Sequence, residues 1–101
     1  MITHAFQHRT KLIYRVHATK RMFKRNIFGQ EVLDVLTDGF IIEEYKDDFP
    51  FPSVLVNGKS IQNRYIHIVV GIDIEQKRLF VITVYEPDPL IWKDNYSRRI
   101  P

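Results

Sequence analysis

The stretch RYIHIVVGIDIEQKRLFVITVYE, residues 64–86, decides the fold. Its two ends, residues 64–72 and 78–86, are rich in β-branched and aromatic side chains, which favour strands. The segment between them, residues 73–77, is polar and has the length of a hairpin connection. The stretch therefore predicts two antiparallel strands joined by a short connection.

Alternate residues of a strand point to opposite faces of a sheet, and each of these strands has one uniformly apolar face. The apolar faces predict the side that packs on helices, and they consist of Ile66, Ile68 and Val70 in the first strand and Phe80, Ile82 and Val84 in the second. The opposite face carries Val81 together with His67, Thr83 and Tyr85. This second face is polar enough to be a binding surface.

The part of the chain before this stretch begins with helical periodicity. We expect the first 38 residues to be helical, with one helix over residues 17–28 and a second over residues 30–38. Gly29 permits the turn between the helices, and Gly39 stands where a C-terminal cap would be. The helices thus precede every predicted strand.

Strand-forming residues follow the helices. Residues 40–45 are β-branched and aromatic, and residues 54–61 contain the dipeptide Asn57-Gly58, a strong hairpin signal. Two prolines make the segment between them, residues 46–53, a loop. Beyond the stretch quoted first, two further prolines end the sheet. Residues 90–101 then form a short element or an arm that Trp92 anchors by packing.

Helices that precede strands rather than alternate with them are typical of the α+β class. The sequence predicts a single domain over residues 1–101, with two N-terminal helices packed on an antiparallel sheet of roughly four strands. The chain has no cysteine, which excludes disulfides, cysteine-ligated zinc and thiol nucleophiles and suits a reducing cytoplasm. No apolar run reaches the roughly 20 residues of a membrane helix, so we expect no membrane partner.

Charge is distributed unevenly, although its net value is only +3. Residues 1–30 carry seven Lys or Arg and no Asp or Glu, whereas residues 31–52 carry seven acids and one Lys. A basic segment of this kind creates a local positive field that attracts phosphate or an acidic partner. A solvated basic helix face is the plain alternative. The segment lacks the broad apolar face of a membrane-surface helix.

The residue types present match the needs of metal-free RNA cleavage. That reaction needs a base for the 2′-hydroxyl, an acid for the leaving 5′-oxygen and cations for the charged transition state. Histidine titrates near neutral pH, and arginine holds phosphate through its bidentate fork. The candidate catalytic residues are His17, Arg21, His67, Thr83 and Tyr85. The candidate RNA-binding residues are Lys20, Lys24, Arg25, Arg98 and Arg99.

Each of the main candidates also has a structural interpretation. His17 could cap or pack at the start of its helix. Arg21 and Arg25 could pair with the acids of residues 31–52. His67 could be a structural strand histidine whose ring nitrogens are satisfied within the protein. The sequence alone leaves both interpretations open for every one of these side chains.

Metal-dependent chemistry has less support in the sequence. His4 and His8 have the i, i+4 spacing of ligands on a helix, but no third ligand is near them. Asp73, Glu75 and Lys77 imitate the acid and E-x-K elements of metal-dependent nucleases. They lie in the predicted hairpin connection, where charged residues are expected in any case. We therefore expect no metal and no cofactor, and a metal-dependent nuclease that uses Asp73 and Glu75 is an alternative hypothesis.

Several short motifs, in order along the chain, resemble those of a family of small bacterial proteins. The first group lies in the predicted N-terminal helix, where His17-Ala18, Arg21-Met22 and Arg25 precede Ile27. The later motifs are Gly39 before Ile41-Ile42-Glu43-x-Tyr45, the loop Pro50-x-Pro52-Ser53, the strand histidine His67, and Thr83-Val84-Tyr85 with Pro87-Asp88 and Trp92. The resemblance covers about residues 12 to 99. Val16 departs from the Ser or Thr expected before the His-Ala pair.

That family resembles a branch of the RelE/ParE-like toxin superfamily, whose members are often encoded beside zinc-finger antitoxins of the MqsA type. The resemblance implies a RelE-like α+β fold and metal-independent cleavage of mRNA, free or on the ribosome, under the control of a tightly bound antitoxin. It implies functional roles for His17, Arg21, Arg25, His67, Thr83 and Tyr85. The superfamily also includes gyrase-directed members. A non-catalytic interaction module that binds nucleic acid or a protein target is therefore the alternative.

Overall fold

The computed structural model describes residues 10–101, in which two helices pack on a five-stranded sheet. In chain order the elements are β1 (Lys11–Tyr14), α1 (Val16–Arg25), α2 (Gly29–Asp38), β2 (Phe40–Tyr45), β3 (Ser53–Lys59), β4 (Tyr65–Asp73), β5 (Arg78–Tyr85), β6 (Trp92–Lys93) and β7 (Arg98–Arg99). The sheet has the strand order β1-β5-β4-β3-β2, and β6 pairs with β7 in a separate ribbon. Strand β1 runs parallel to β5, and all other neighbours in the sheet are antiparallel.

The α+β class and the two helices are confirmed, but the prediction of a four-stranded, wholly antiparallel sheet is wrong. The difference lies in residues 11–14, for which the sequence predicts helix and which form the strand β1. Four residues are too few to show the two-residue alternation of a strand, especially where a helix follows directly in the sequence. Within residues 10–101, β5 has neighbours on both sides only over residues 78–81, where β1 pairs with it.

The prediction of a hairpin turn at Asn57-Gly58 is also wrong, because both residues lie inside β3. Gly58 instead allows close packing between β3 and the end of α2. A Cβ at this position would lie 3.1 Å from the Gly39 Cα and 3.3 Å from the Val35 Cα. The missing side chain thus lets the end of α2 cross β3 closely. The turn from β3 to β4 follows at residues 60–64.

A β-bulge with Ile82 as the extra residue interrupts the pairing of β5 with β4. Before the bulge the predicted faces of β5 are wrong, because Val81 lies in the core and Phe80 lies opposite it. After the bulge Val84 is in the core, and Tyr85 lies on the other face. We call the face away from the helices the outer face. The bulge brings Phe80 and Tyr85 onto this same face although they are an odd number of residues apart.

The apolar core lies between the helices and the opposite, inner face of the sheet. Ala18 of α1 and Leu36 of α2 are fully buried there, and Ile66, Ile68 and Val70 of β4 meet them as the alternation predicts. Each buried side chain of the size of Leu or Ile contributes about 1.5–3 kcal/mol by removal from water. No helix within residues 10–101 is long and apolar enough to cross a membrane.

The junction between the helices is fixed by an ion pair that the sequence pattern did not single out. Asn26 ends α1 with a left-handed φ of 53°, and the Phe28 N–H donates to the Glu31 carboxylate at 3.1 Å. The Arg64 guanidinium donates to that carboxylate at 2.7 and 2.9 Å. It also donates to the carbonyl oxygens of Arg25 and Asn26. Arg64 therefore holds the C-terminal end of α1 in place against the sheet.

Candidate functional site

A groove of about 690 Å³ opens where α1 meets the end of β5 and the C-terminal tail. We call it the α1–β5 groove. Its lining consists of Arg21 and Arg25 from α1, Thr83 and Tyr85 from the end of β5, and Glu86, Asp88, Pro89, Ile91, Trp92 and Arg99 from the tail. Of the predicted site residues, it brings together Arg21, Arg25, Thr83, Tyr85 and Arg99. The other five, His17, Lys20, Lys24, His67 and Arg98, do not line it.

The groove exists because β1 covers only part of β5. Strand β1 pairs with residues 78–81, and α1 packs along β5 directly after it. The Arg15 N–H donates to the Val81 carbonyl oxygen at 3.0 Å and so fixes the start of α1 beside the strand. Arg21 and Arg25 are four residues apart on α1, one helical turn, and therefore project in similar directions. Both reach the part of β5 that β1 leaves uncovered.

Arg21 and Arg25 have no acidic partner within residues 10–101, because no carboxylate oxygen there lies within 4.0 Å of either guanidinium. Two of the acids of residues 31–52 have other arginine partners. Glu31 binds Arg64, and Glu43 binds Arg99. The two guanidiniums are thus available for an anion, and their planar forks suit a phosphate.

His17 lies beside the groove and contacts one of its arginines. It is exposed near the start of α1, and its Nε2 accepts a hydrogen bond from the Arg21 Nε at 3.2 Å. Since Nε2 accepts, the proton of the neutral ring is on Nδ1. Lys20 and Lys24 are exposed on α1 outside the groove. They add to the positive field of the helix without contacting the groove itself.

His67 is fully buried on the outer face, where it lies opposite Tyr85 of β5. Its Nε2 lies 2.8 Å from the Tyr96 carbonyl oxygen, and its Nδ1 lies 3.1 Å from the Tyr85 Oη. A carbonyl oxygen only accepts, so Nε2 carries the proton and Nδ1 accepts the hydrogen of the Tyr85 hydroxyl. His67 has no surface open to a substrate. It affects the groove through the orientation of Tyr85.

Burial keeps this histidine and tyrosine neutral. Burial lowers the pKa of His67 below its usual value, because a buried imidazolium loses its hydration. For the same reason burial raises the pKa of Tyr85, whose charged form is the phenolate. At neutral pH both groups therefore keep the O–H···N hydrogen bond that the geometry shows. Within residues 10–101 no other hydrogen bond involves the Tyr85 hydroxyl, so the lone pairs of its oxygen are available to a further donor.

The C-terminal tail, residues 86–101, folds across the outer face and forms one wall of the groove. Trp92 is 5% exposed and packs edge-on against the His67 ring, with centroids 4.5 Å apart. The Asn57 Nδ2 donates to the Asn95 carbonyl oxygen at 3.0 Å. Trp92 is thus a packing anchor, and the ribbon of β6 and β7 is the short element that the sequence predicts in the tail.

Arg99 is held in place by contacts within the protein. Its Nε and Nη2 donate to the Glu43 carboxylate at 2.6 and 3.0 Å, and its guanidinium lies 4.5 Å from the Trp92 ring centre. Glu43 reaches the outer face because a bulge with Ile42 as the extra residue shifts the register of β2. The hydrogen bonds from Arg99 lower the pKa of Glu43 below its usual range. Arg98 is exposed and lies outside the groove.

Two carboxylates of the groove have roles within the protein. Glu86 accepts a hydrogen bond from the Arg64 Nη1 at 3.1 Å, and Asp88 accepts one from the Leu90 N–H at 2.9 Å. Arg64 is shared between Glu86 and the buried Glu31, so it compensates Glu86 only in part, whereas Arg99 is paired with Glu43. The lining residues together carry three arginines against the two carboxylates of Glu86 and Asp88. The groove is therefore net positive, in agreement with an anionic ligand.

Asp73, the first acid of the metal-dependent alternative, belongs to the hydrogen-bond network of the β4–β5 connection. Asp73 accepts hydrogen bonds from Arg78 at 2.6 and 3.0 Å and from the Gln76 N–H at 3.2 Å. Within residues 10–101 no group of three or more His, Cys, Asp or Glu is placed to hold a metal ion. His4 and His8 lie outside the described residues.

Comparison with known proteins places the chain in one family. Residues 14–86 match the family described as "Domain of unknown function (DUF4258)". The match includes α1, α2 and strands β2 to β5, and with them the groove residues Arg21, Arg25, Thr83 and Tyr85. It ends before most of the tail. No curated protein and no solved structure matches the chain. Because the matched residues make up most of the sequence, the chain belongs to the DUF4258 family.

Proposed function

We propose that this protein is a toxin of a toxin–antitoxin pair, of the RelE/ParE-like type, and that it is a metal-independent endoribonuclease that cleaves mRNA by 2′-hydroxyl transesterification. The observation that carries the proposal is the α1–β5 groove. In this groove Arg21 and Arg25, which have no acidic partner within the described residues, lie near Tyr85. The hydroxyl oxygen of Tyr85 has lone pairs that can accept a further hydrogen bond. A phosphate bound by arginine forks beside an acceptor for a proton is the arrangement that this reaction needs.

In the proposed reaction Arg21 and Arg25 hold the scissile phosphate and stabilise the charge that develops on its oxygens. The substrate 2′-oxygen attacks phosphorus, and the bond to the 5′-oxygen breaks. The products are a 2′,3′-cyclic phosphate and a 5′-hydroxyl. The proton of the 2′-hydroxyl goes to the Tyr85 oxygen as the tyrosine proton passes to the Nδ1 of His67. Thr83, in the same groove, donates a hydrogen bond to the phosphate.

His17 is the proposed proton donor to the leaving 5′-oxygen. It is exposed and lies next to Arg21, and an imidazolium can donate from either nitrogen. Protonation at Nε2 ends its hydrogen bond from Arg21, so the guanidinium becomes free to turn to the phosphate. Lys20, Lys24, Arg98 and Arg99 belong to the proposed wider RNA surface. The field of Lys20 and Lys24 guides RNA to the groove, whereas Arg98 and Arg99 are paired with Asp94 and Glu43 and contribute hydrogen-bond donors rather than net charge.

The proposed setting is the cytoplasm, where mRNA is reached free or on the ribosome. An antitoxin, of the zinc-finger type in the resemblance, would inhibit by covering the groove. The second candidate function is a non-catalytic module that binds nucleic acid or a protein target. The observation that favours it is the burial of His67, whose two ring nitrogens are both engaged within the protein.

Cleavage of a 5′-labelled mRNA in EDTA, with and without ribosomes, separates the two candidates. We expect cleavage by the wild-type protein and a loss of about 100-fold or more in Tyr85→Phe. Tyr65→Phe removes a hydroxyl from a partly buried tyrosine outside the groove and is the matched control, with cleavage unchanged. Absence of cleavage by folded wild-type protein under every condition would favour the interaction module. Full cleavage by Tyr85→Phe would refute the assigned role of Tyr85.

A further inference from the structure

A second cluster of cations and aromatic rings lies on the outer face toward the other end of β5. The rings of Phe51 and Phe80 stack with centroids 5.4 Å apart and planes only 6° apart. The Arg15 guanidinium carbon lies 4.7 Å from the Phe80 ring centre, and that of Arg78 lies 5.2 Å from it. We call these four side chains the Arg15–Phe80 cluster. None of them lines the α1–β5 groove.

The two arginines of the cluster differ in their partners. Arg78 forms an ion pair with Asp73 at 2.6 Å and is thereby neutralised. Arg15 is exposed, and within residues 10–101 no carboxylate oxygen lies within 4.0 Å of its guanidinium. One side of the Arg15 guanidinium is occupied by a ring while the residue stays open to solvent. Nucleobases stack on guanidinium planes of this kind.

The cluster continues the surface of the groove along β5. Phe80 precedes Thr83 by three residues, a distance of about 10 Å along a strand. Both lie on the outer face because of the bulge at Ile82. Gly71, opposite Phe80 on β4, leaves space that the Ile82 side chain occupies, since the Ile82 Cδ1 lies 3.4 Å from where a Gly71 Cβ would be. An extended ligand that continues from the groove along β5 to Phe80 would therefore pass over Ile82.

The positive charges follow the same line. Arg15 ends the connection from β1, and Arg21 and Arg25 follow on α1, so all three guanidiniums approach β5 from one side. All three lack acidic partners within the described residues. A single-stranded nucleic acid offers a phosphate for each cation and a nucleobase that can stack on a flat side chain. A folded acidic protein surface does not offer this combination.

We propose that Arg15 and Phe80 form a second RNA subsite, in which one nucleobase of a single strand, on a nucleotide adjacent to those in the groove, stacks on the Arg15 guanidinium. The proposal rests on the proposed function, because it extends the same RNA beyond the scissile phosphate. The ligand proposed for this subsite is a single strand rather than a duplex, because a paired base is not free to stack on a side chain.

A purely structural role of Arg15 is the competing explanation. Its aliphatic stem and guanidinium could simply cover Phe80, which is 7% exposed. In that case Arg15 variants lose stability but bind RNA as the wild type does. The experiment therefore needs a readout that responds to the nucleobase as well as to the protein.

The test measures the affinity of uncleavable 2′-fluoro oligoribonucleotides by fluorescence anisotropy, over a series of about four to about ten nucleotides. Each position in turn is also replaced by an abasic nucleotide, which keeps the phosphate but removes the base. Arg15→Lys keeps the charge and loses the flat stacking surface. Lys46→Arg, exposed beyond the far edge strand β2, is the matched control, because it also exchanges lysine and arginine without a change of charge.

For the wild type we expect one abasic position to weaken binding about tenfold, in line with the loss of one stacked base. Arg15→Lys should weaken binding of the intact oligonucleotide by a similar factor and be insensitive to that abasic position. Equal affinity of Arg15→Lys and wild type, with binding still dependent on Arg21, would overturn this subsite and leave the proposed function standing. Absence of RNA binding by the folded wild type would overturn both.

Discussion

Replacement of Glu31 by Gln tests how strongly the helix junction depends on a buried charge. The Glu31 side chain is 1% exposed, and the hydrogen bonds from Arg64 lower the pKa of its carboxyl from the ordinary 4.5 to about 2. At about 1.4 kcal/mol for each pH unit, this difference corresponds to about 3 kcal/mol of folding free energy at neutral pH. Because the folded pKa is the lower one, this stability is present above pH 4.5 and is lost as the pH falls toward 2.

The substitution Glu31→Gln should therefore destabilise the protein by about 2–3 kcal/mol at pH 7, since the amide can still accept weaker hydrogen bonds. At pH 3 the wild-type carboxylate retains only about 1.5 kcal/mol of its stabilising effect, so the difference between the two proteins should shrink by about half. Urea unfolding followed by the fluorescence of Trp92 measures the free energy of unfolding at both values of pH.

Glu44→Gln is the matched control, because Glu44 is an exposed glutamate on the neighbouring strand β2. We expect it to change the free energy of unfolding by less than about 0.5 kcal/mol at either pH. The reasoning is refuted if Glu31→Gln is no less stable than Glu44→Gln at pH 7. A deficit in Glu31→Gln that is equally large at pH 3 would show that packing, and not the charge, is responsible.

Three further predictions concern the core and the outer face. Leu36→Ala, at a fully buried position of α2, should lower the free energy of unfolding by about 3 kcal/mol, whereas Leu33→Ala, at an exposed position of the same helix, should lower it by under 1 kcal/mol in the same urea experiment. Gly58→Ala should destabilise by about 1–3 kcal/mol and lower the Tm in calorimetry, because the new Cβ would lie 3.1 Å from Val35 Cγ1. Because burial lowers the pKa of His67, this residue is protonated more readily in the unfolded chain, and stability should fall as the pH drops below about 6.5. The measurement is the Tm of the wild type and of His67→Gln between pH 7 and pH 5. An equal change of Tm with pH in the two proteins would contradict this prediction.

The parts of the fold that follow from local pattern could be predicted from the sequence. The strands β4 and β5 show period-two alternation over many residues, and the helices precede the strands without mixing. The four residues of β1 carry no such signal, because their pairing with β5 joins positions more than 60 residues apart. The two bulges also leave no pattern, since one extra residue in a strand changes its faces without changing its composition.

The candidate site was predictable in its residue types but not in its full geometry. Arg21, Arg25, Thr83 and Tyr85 could be named from the helix face and the strand face that carry them. The burial of His67 could not, because it results from a tail that reaches back from Tyr96, 29 residues along the chain. The ion pair of Arg64 with Glu31 joins residues 33 apart, and no local spacing indicates it.

The account depends most on the claim that the α1–β5 groove is where RNA is bound and cut. Helix α1 offers a matched pair of double variants, Arg21→Gln/Arg25→Gln inside the groove and Lys20→Gln/Lys24→Gln outside it. Each double variant removes two positive charges from the same helix, so the loss of general electrostatic attraction for RNA is equal in the two. The decisive measurement is the rate of mRNA cleavage in EDTA by these variants. We predict a loss of at least about 100-fold for the arginine pair and only a few-fold for the lysine pair. Equal losses in the two, or full cleavage by the arginine variant, would contradict the central claim.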